Sequence, residues 1–213
     1  YGTVGLITYM RTDSVRISEE AQALAKSYIE NNFSSDYIPD KPRIYKSKKN
    51  IQDAHEAIRP SNVEITPEIA KTSLTAEQYK VYKLVWDRFV ASQMSSAIID
   101  ITTINIANGD YIFRTTGSVL NFDGFMKIYE YTNEDEEENS KFPKLKEKDV
   151  LEEIEVQKSQ HFTTPPPRYT EASFVKLLEE KGIGRPSTYV PTISTLLDRK
   201  YVQREKKSLL PTE

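Results

Sequence analysis

The chain has 213 residues, 38% of them apolar and none of them cysteine, with a net charge of −3. This supports ordinary soluble cores in one large domain or two to three small ones, and excludes disulfide scaffolds, thiolate metal sites and, with no run of about 18 apolar residues, a membrane-spanning helix. A uniformly basic nucleic-acid binder is excluded too, although Lys41, Arg43, Lys46, Lys48, Lys49 and Arg59 form one basic group, Arg185, Arg199, Lys200, Arg204, Lys206 and Lys207 another, and residues 134–138 an acidic run.

In chain order, GLITYMRTDS over 5–14 reads as extended and strand-like as far as Met10. From Ser18, the run SEEAQALAKSYIENNF sets a capping serine and first-turn acids ahead of apolar residues near helical spacing, which predicts a helix. Residues 39–50 read as a polar loop, and QDAHEAIRP over 52–60 as a short helix capped by Asp53 and closed by Pro60. Thr75 and Gln78 form a capping box ahead of Tyr79, Tyr82, Trp86, Phe89 and Gln93, whose steps of three and four predict a long helix. Beyond Met94 the composition turns β-branched and aromatic. Strands are expected there, with a hairpin turn at Asn108, Gly109 and Asp110, a second turn at Asp123 and Gly124, and a further strand over 150–156 after the acidic loop.

Pro165, Pro166 and Pro167 stop any strand ladder, and helices resume. Thr170 is placed to cap a helix running to about Lys181, and Gly182 to end it in the left-handed conformation. Ser187 can cap the next helix, whose apolar side carries Ile193, Leu196 and Leu197, and Tyr201 and Val202 begin a short strand. The expected fold class is α+β and multidomain: helices as far as Met94, a β-rich segment beyond it, and from Pro165 a helical, winged-helix-like segment in which helix, tight turn, helix and strand follow one another.

Three stretches carry candidate chemistry. Tyr9 and Arg11 are two apart, so an extended backbone sends both to one side and sets a phenol beside a guanidinium that can bind phosphate through two donors. A phenol ordinarily ionises near pH ~10, so attack at neutral pH needs a cationic neighbour or a general base. Ordinary strand packing explains the same pair. His55 and Arg59, four apart, would share a helix face suited to holding phosphate or relaying a proton, or would simply close a helix end. A zincin signature fails because Arg59 stands where the second histidine is required. In GIGRPSTY over 182–189 the glycines follow a helix and no P-loop lysine is present, which argues against ATP binding. Arg185, Ser187 and Thr188 there offer either an anion site at a helix start or a plain cap.

In wording and order, ITYMRTDS at 7–14, DAHEAIRP at 53–60 and PPPRYTEASFVKLLEEKGIGRPSTY at 165–189 closely resemble the bacterial type IA DNA topoisomerases over nearly the whole chain. Methionine at position 10, rather than proline, is more like topoisomerase I than topoisomerase III. The resemblance implies that Tyr9 is the nucleophile, Arg11 its phosphate and transition-state partner, and His55 part of a proton network. It places Arg185, Ser187, Thr188 and Arg199 along a single-strand groove, with Arg59 and Arg168 contributing. The implied reaction exchanges a DNA phosphodiester for a 5′-phosphotyrosine, opens a gate and rejoins the strand without ATP. By the same resemblance, residues 1–95 swing with the cut strand, 96–160 return through a β-rich arch, and 161–213 belong to the base. The chain is then an internal fragment whose Mg²⁺ ligands lie outside it, in an N-terminal TOPRIM part of the same polypeptide. Implied partners are that part and single-stranded or negatively supercoiled DNA, with no membrane and a cytoplasmic location. A topoisomerase III-like decatenase and a non-catalytic single-stranded DNA-binding module are the alternatives.

Overall fold

A computed structural model of the chain describes residues 5–45, 55–129, 142–143 and 145–212. Lys46, Lys48, Lys49, the expected Asp53 cap and the acidic run over 134–138 lie outside the described residues. The chain is a mixed α and β protein that divides into two compact units, Tyr1–Asp149 and Val150–Glu213, with two small antiparallel sheets among the described residues.

In the first unit, Ser18 caps helix α1 (Glu19–Asn32) by accepting from the Ala21 N–H, as its sequence predicts. This helix buries Ala21, Ala25, Tyr28 and Ile29, a stripe one face can carry. A single helical turn, α2 (Pro67–Ala70), is capped by Thr66 and begins with proline, where a missing N–H costs nothing. Helix α3 (Ala76–Gln93) starts from the expected capping box of Thr75 and Gln78 and buries Tyr82, Trp86, Phe89, Val90, Ala91 and Gln93. Trp86 meets Tyr28 edge-on at 5.4 Å between ring centroids and donates its indole N–H to the Val63 carbonyl at 2.9 Å. The Tyr82 hydroxyl donates to the Ile65 carbonyl at 2.6 Å. Those two bonds fasten the loop ahead of α2 to a helix whose buried aromatics each contribute about 3–5 kcal/mol by truncation standards.

Strands β1 (Ile98–Asn108) and β2 (Tyr111–Phe122) form one antiparallel hairpin closed at Gly109 and Asp110, where Gly109 takes a φ of +59°. Its root is fixed to the helical core. Phe122 packs on Tyr37 at 4.9 Å, the Tyr37 hydroxyl donates to Asp123 Oδ1 at 2.6 Å, and the Phe125 N–H donates to the Ser95 carbonyl.

Here two expectations are overturned. Asp123 and Gly124 do not turn between strands; they open a one-turn 3₁₀ helix over Gly124–Lys127. The reason is local: Gly124, at φ +49°, lies so close to Ser96 that a Cβ would sit 2.6 Å from its carbonyl group, so the chain docks back on the start of β1 instead of reversing. Residues 150–156 form no strand, and the side chains of Val150 and Ile154 are 96% and 97% exposed. Alternation alone supplies no partner strand, and backbone this exposed can leave its N–H and C=O groups to water.

In the second unit, Thr170 and Ser173 exchange a reciprocal cap at the start of helix α4 (Glu171–Lys181), and Gly182 ends it at φ +68°, as expected. Helix α5 (Tyr189–Asp198) has Thr188, not Ser187, in the capping position, and Thr188 makes no cap bond because its hydroxyl turns back on Arg185. Strands β3 (Val202–Glu205) and β4 (Ser208–Pro211) pair as a hairpin, tied to α4 by a bridge between Thr170 and Ser208. Among the described residues, no helix is long and apolar enough to cross a membrane.

Two measurements check this packing. Gly124→Ala should cost about 1–3 kcal/mol in urea unfolding, through both the left-handed φ and the collision with Ser96. The Tyr37 hydroxyl holds the Asp123 carboxyl below its ordinary range, with Lys127 adding to the effect. A lowered carboxyl contributes stability above its unfolded pKa and loses it as pH falls through the folded value. Stability against pH below about 4 should therefore fall less steeply in Tyr37→Phe than in the unaltered chain.

Candidate active site

Tyr9 lies on no regular element. The expected strand over 5–10 is reduced to one bridge, Ile7 opposite Pro60, and the expected helix over 52–60 is absent from its described part, 55–60. The two motifs pair with each other instead. The Thr8 N–H donates to the Arg59 carbonyl at 2.9 Å and the Ser61 N–H to the Leu6 carbonyl at 2.9 Å, flanking Pro60 in a position where no proline N–H is needed. Pro60 is fully buried. The Ala57 N–H reaches the Arg16 carbonyl at 2.8 Å, and the Ser61 hydroxyl reaches the Gly5 carbonyl at 2.8 Å. A third set comes from the Thr8 hydroxyl, which donates to the Ala57 carbonyl at 2.8 Å and accepts from the Arg59 N–H at 3.0 Å.

This pairing brings Tyr9 against His55, their ring centroids 5.1 Å apart and tilted by 44°. Tyr9 is 56% exposed, so it is open to solvent while its ring has an imidazole neighbour. Beyond it the chain is held by its own hydroxyls. Thr12 Oγ1 accepts from the Ser14 N–H, and the buried Ser14 accepts from the Arg16 N–H. Arg11, between these points, is exposed.

Arg59 is engaged within its own motif. Its guanidinium pairs with Glu56 at 2.7 Å and donates to the Pro60 carbonyl at 3.1 Å, with 16% of its side chain exposed. Glu56, three residues before Arg59, carried this signal in the sequence as an i,i+3 pair; without a helix, the pair braces a loop. The role of Thr8 was not visible in the sequence, because a threonine beside a tyrosine has no pattern of its own.

In the second unit, Arg168, Arg185, Ser187, Thr188 and Arg199 are all exposed. Arg168 precedes α4, and Arg199 sits at the end of α5, where its N–H donates to the Thr195 carbonyl. Arg185 gives its N–H to Thr188 Oγ1 at 2.8 Å and its guanidinium to the Gly184 carbonyl at 2.9 Å. Gly184, at φ +78°, leaves room for that hydroxyl, since a Cβ would lie 2.9 Å from it. A separate cavity of about 460 Å³ between α4 and the β3–β4 hairpin is lined by Thr170, Glu171, Ala172, Arg204, Lys206 and Lys207, with Arg204 paired to Glu171. Sequence reading had grouped those three cations without assigning them a place.

Among the described residues no three His, Cys, Asp or Glu side chains gather closely enough to hold a metal ion. The Mg²⁺ implied by the resemblance therefore finds no ligand set among them.

The sequence signature of the DNA topoisomerase family matches residues 1–213. The chain belongs to that family, in its type IA branch. It is 51% identical over 216 residues to DNA topoisomerase 1 of Rickettsia prowazekii (strain Madrid E) and of Rickettsia felis, covering 99% of this chain and 28% of each relative. The chain thus spans little more than a quarter of the length of these curated topoisomerases. It also superimposes on full-length topoisomerase I from Thermotoga maritima with a TM-score of 0.78 and 38% identity, over 98% of this chain and 33% of that one.

Within this topoisomerase chain, Arg59 should behave as a brace. Arg59→Gln should leave the salt dependence of single-strand binding unchanged, whereas Arg185→Ala should flatten the log–log slope by about 0.7, one phosphate contact. Anisotropy titrations of a labelled oligonucleotide across a salt series measure both.

Proposed function

We propose that this chain carries the nucleophile of a DNA topoisomerase that relaxes negatively supercoiled DNA by ATP-independent cleavage, passage and rejoining of one strand. The observation that carries the reading is the Tyr9–His55 ring contact, formed by two motifs about fifty residues apart in a chain of this family. In the cleavage step the Tyr9 oxygen attacks a backbone phosphorus while the bond to the 3′ oxygen breaks. The phenolic proton leaves through a network that includes His55, and the departing 3′ oxygen takes up a proton to become a hydroxyl. One phosphodiester replaces another, so no nucleotide is consumed, and rejoining is the same step reversed. Arg11, exposed two residues from Tyr9, is suited to the charge that grows on the phosphoryl oxygens.

In this reading residues 1–95 carry the tyrosine, 96–160 form the β-rich hinge, and 161–213 hold single-stranded DNA. Arg168, Arg185, Ser187, Thr188 and Arg199 are the phosphate contacts, with exposed side chains that leave them open to a strand. The Mg²⁺ ligands belong to a TOPRIM part beyond these residues, and the isolated chain binds single strands without relaxing plasmid. The location that fits is the cytoplasm.

Trapping on a suicide oligonucleotide in the complete enzyme tests the assignment. Tyr9→Phe should abolish the covalent adduct while affinity stays within a few-fold, because only a hydroxyl is lost; an adduct surviving in that variant refutes the nucleophile. Arg11→Ala should slow cleavage by about a hundredfold with a smaller change in affinity, as expected of a donor that acts on developing charge.

A further inference from the structure

We propose that Thr8 is a positioning residue of this site, its hydroxyl setting the approach of the Tyr9 and His55 rings; the proposal rests on the reading of Tyr9 as nucleophile. Thr8 is bonded through a continuous peptide to Tyr9, and the groups its hydroxyl grips, the Ala57 carbonyl at 2.8 Å and the Arg59 N–H at 3.0 Å, lie two and four residues beyond His55. With the Thr8 N–H bonded to the Arg59 carbonyl at 2.9 Å and the hydroxyl making a longer contact of 3.4 Å to that carbonyl, four hydrogen-bond contacts from one residue span the two motifs. The single bridge at Ile7 and Pro60 ends the regular pairing just before Tyr9, so past that point the hydroxyl carries the register onward toward the rings.

The chemistry of threonine suits this use. One hydroxyl both donates and accepts, matching a carbonyl and an N–H on the facing backbone, and the β-branch restricts its rotamer, so the Cα of residue 8 is held at a defined distance from the 57–59 backbone. Valine has the same shape and neither bond. Serine keeps both bonds with less restriction.

The ion pair of Arg59 with Glu56 and the bond from Arg59 to the Pro60 carbonyl tie the same 56–60 segment together, so the hydroxyl works against a braced backbone. Nucleophile placement is sensitive to displacements of about 1 Å, which is why a residue that touches no substrate can act on rate.

The test uses the fact that the chain has only two histidines. In a His161→Gln background the remaining imidazole signals belong to His55, and the nuclear Overhauser contact between the Tyr9 and His55 rings can be followed directly in the 213-residue chain. Thr8→Val should lose this contact while Trp86 fluorescence, a reporter of the α1–α3 core, is unchanged. In the complete enzyme the same variant should form adduct about a hundredfold more slowly at saturating oligonucleotide, with KM unchanged within about twofold. Thr8→Ser should restore both readouts. A Thr8→Val protein that keeps the ring contact and the rate overturns the proposal, as does a Thr8→Ser protein as impaired as Thr8→Val.

Should Thr8→Val not fold, the unaltered chain decides. The Arg59 amide should exchange with solvent at least about tenfold more slowly than the amide of exposed Ile58, and equal exchange overturns the hydroxyl's role. The ring-contact arm judges Thr8 alone. Loss of that contact together with an adduct that persists in Tyr9→Phe would leave Thr8 as the link between the rings and refute the nucleophile separately.

Discussion

A tyrosine that belongs to no helix and no strand has to borrow its rigidity. Here the loan comes from the antiparallel stitch between residues 5–8 and 57–61, a handful of backbone hydrogen bonds around the Ile7–Pro60 bridge. Without it Tyr9 and His55 have no reason to meet. The stitch is itself supported from below. Its second partner runs straight into the loop whose Val63 and Ile65 carbonyls accept from Trp86 and Tyr82, and those side chains are fixed by burial in α3 and by the edge contact with Tyr28. Hydrophobic packing of two helices is thereby converted, through two carbonyls and one buried proline, into the placement of a phenol.

The arginines sort by what they already hold. Arg59 is engaged with Glu56, and Arg204 with Glu171, so much of the charge on these two guanidiniums is already answered by carboxylates. Arg11, Arg168 and Arg199 are exposed and lie on irregular backbone or at a helix end. A polyanion meets the second group at lower cost, because among the described residues no carboxylate pairs with those three guanidiniums. A chain of net negative charge can still present local cationic ground to a polyanion, since local placement of cations governs contact more than their sum.

Legibility in the sequence followed the range of the interaction. The caps at Ser18, Thr75 and Thr170, the Gly182 terminus and the Gly109–Asp110 turn were readable because each is decided within four residues. The strand expected over 150–156 failed for the opposite reason, since alternation states a preference for a partner without supplying one. Gly124 looked like a turn glycine, but the cause of its conformation is Ser96, far away in sequence and in van der Waals contact in space. At the candidate site the important residue types, Tyr9, Arg11 and His55, could be named from motifs, while their arrangement could not. A helix was expected from Asp53 to Pro60 because a cap and a stop bracket it. The described part is instead irregular, with the Ala57 N–H and the Arg59 carbonyl taken by residues 16 and 8.

The span of that stitch has a kinetic side. Its side-chain bonds join residues 49 to 56 positions apart, whereas the helices and both hairpins close on neighbours. Closing a loop of about fifty residues is entropically penalised until the rest of the core can reward it, so contacts of this kind form late and open early. The tyrosine segment should thus be the last part of its unit to order during folding and the first to be released by partial opening. Tyr9 meets His55 only when everything beneath it is already in place, which makes its ordering a record of completed folding.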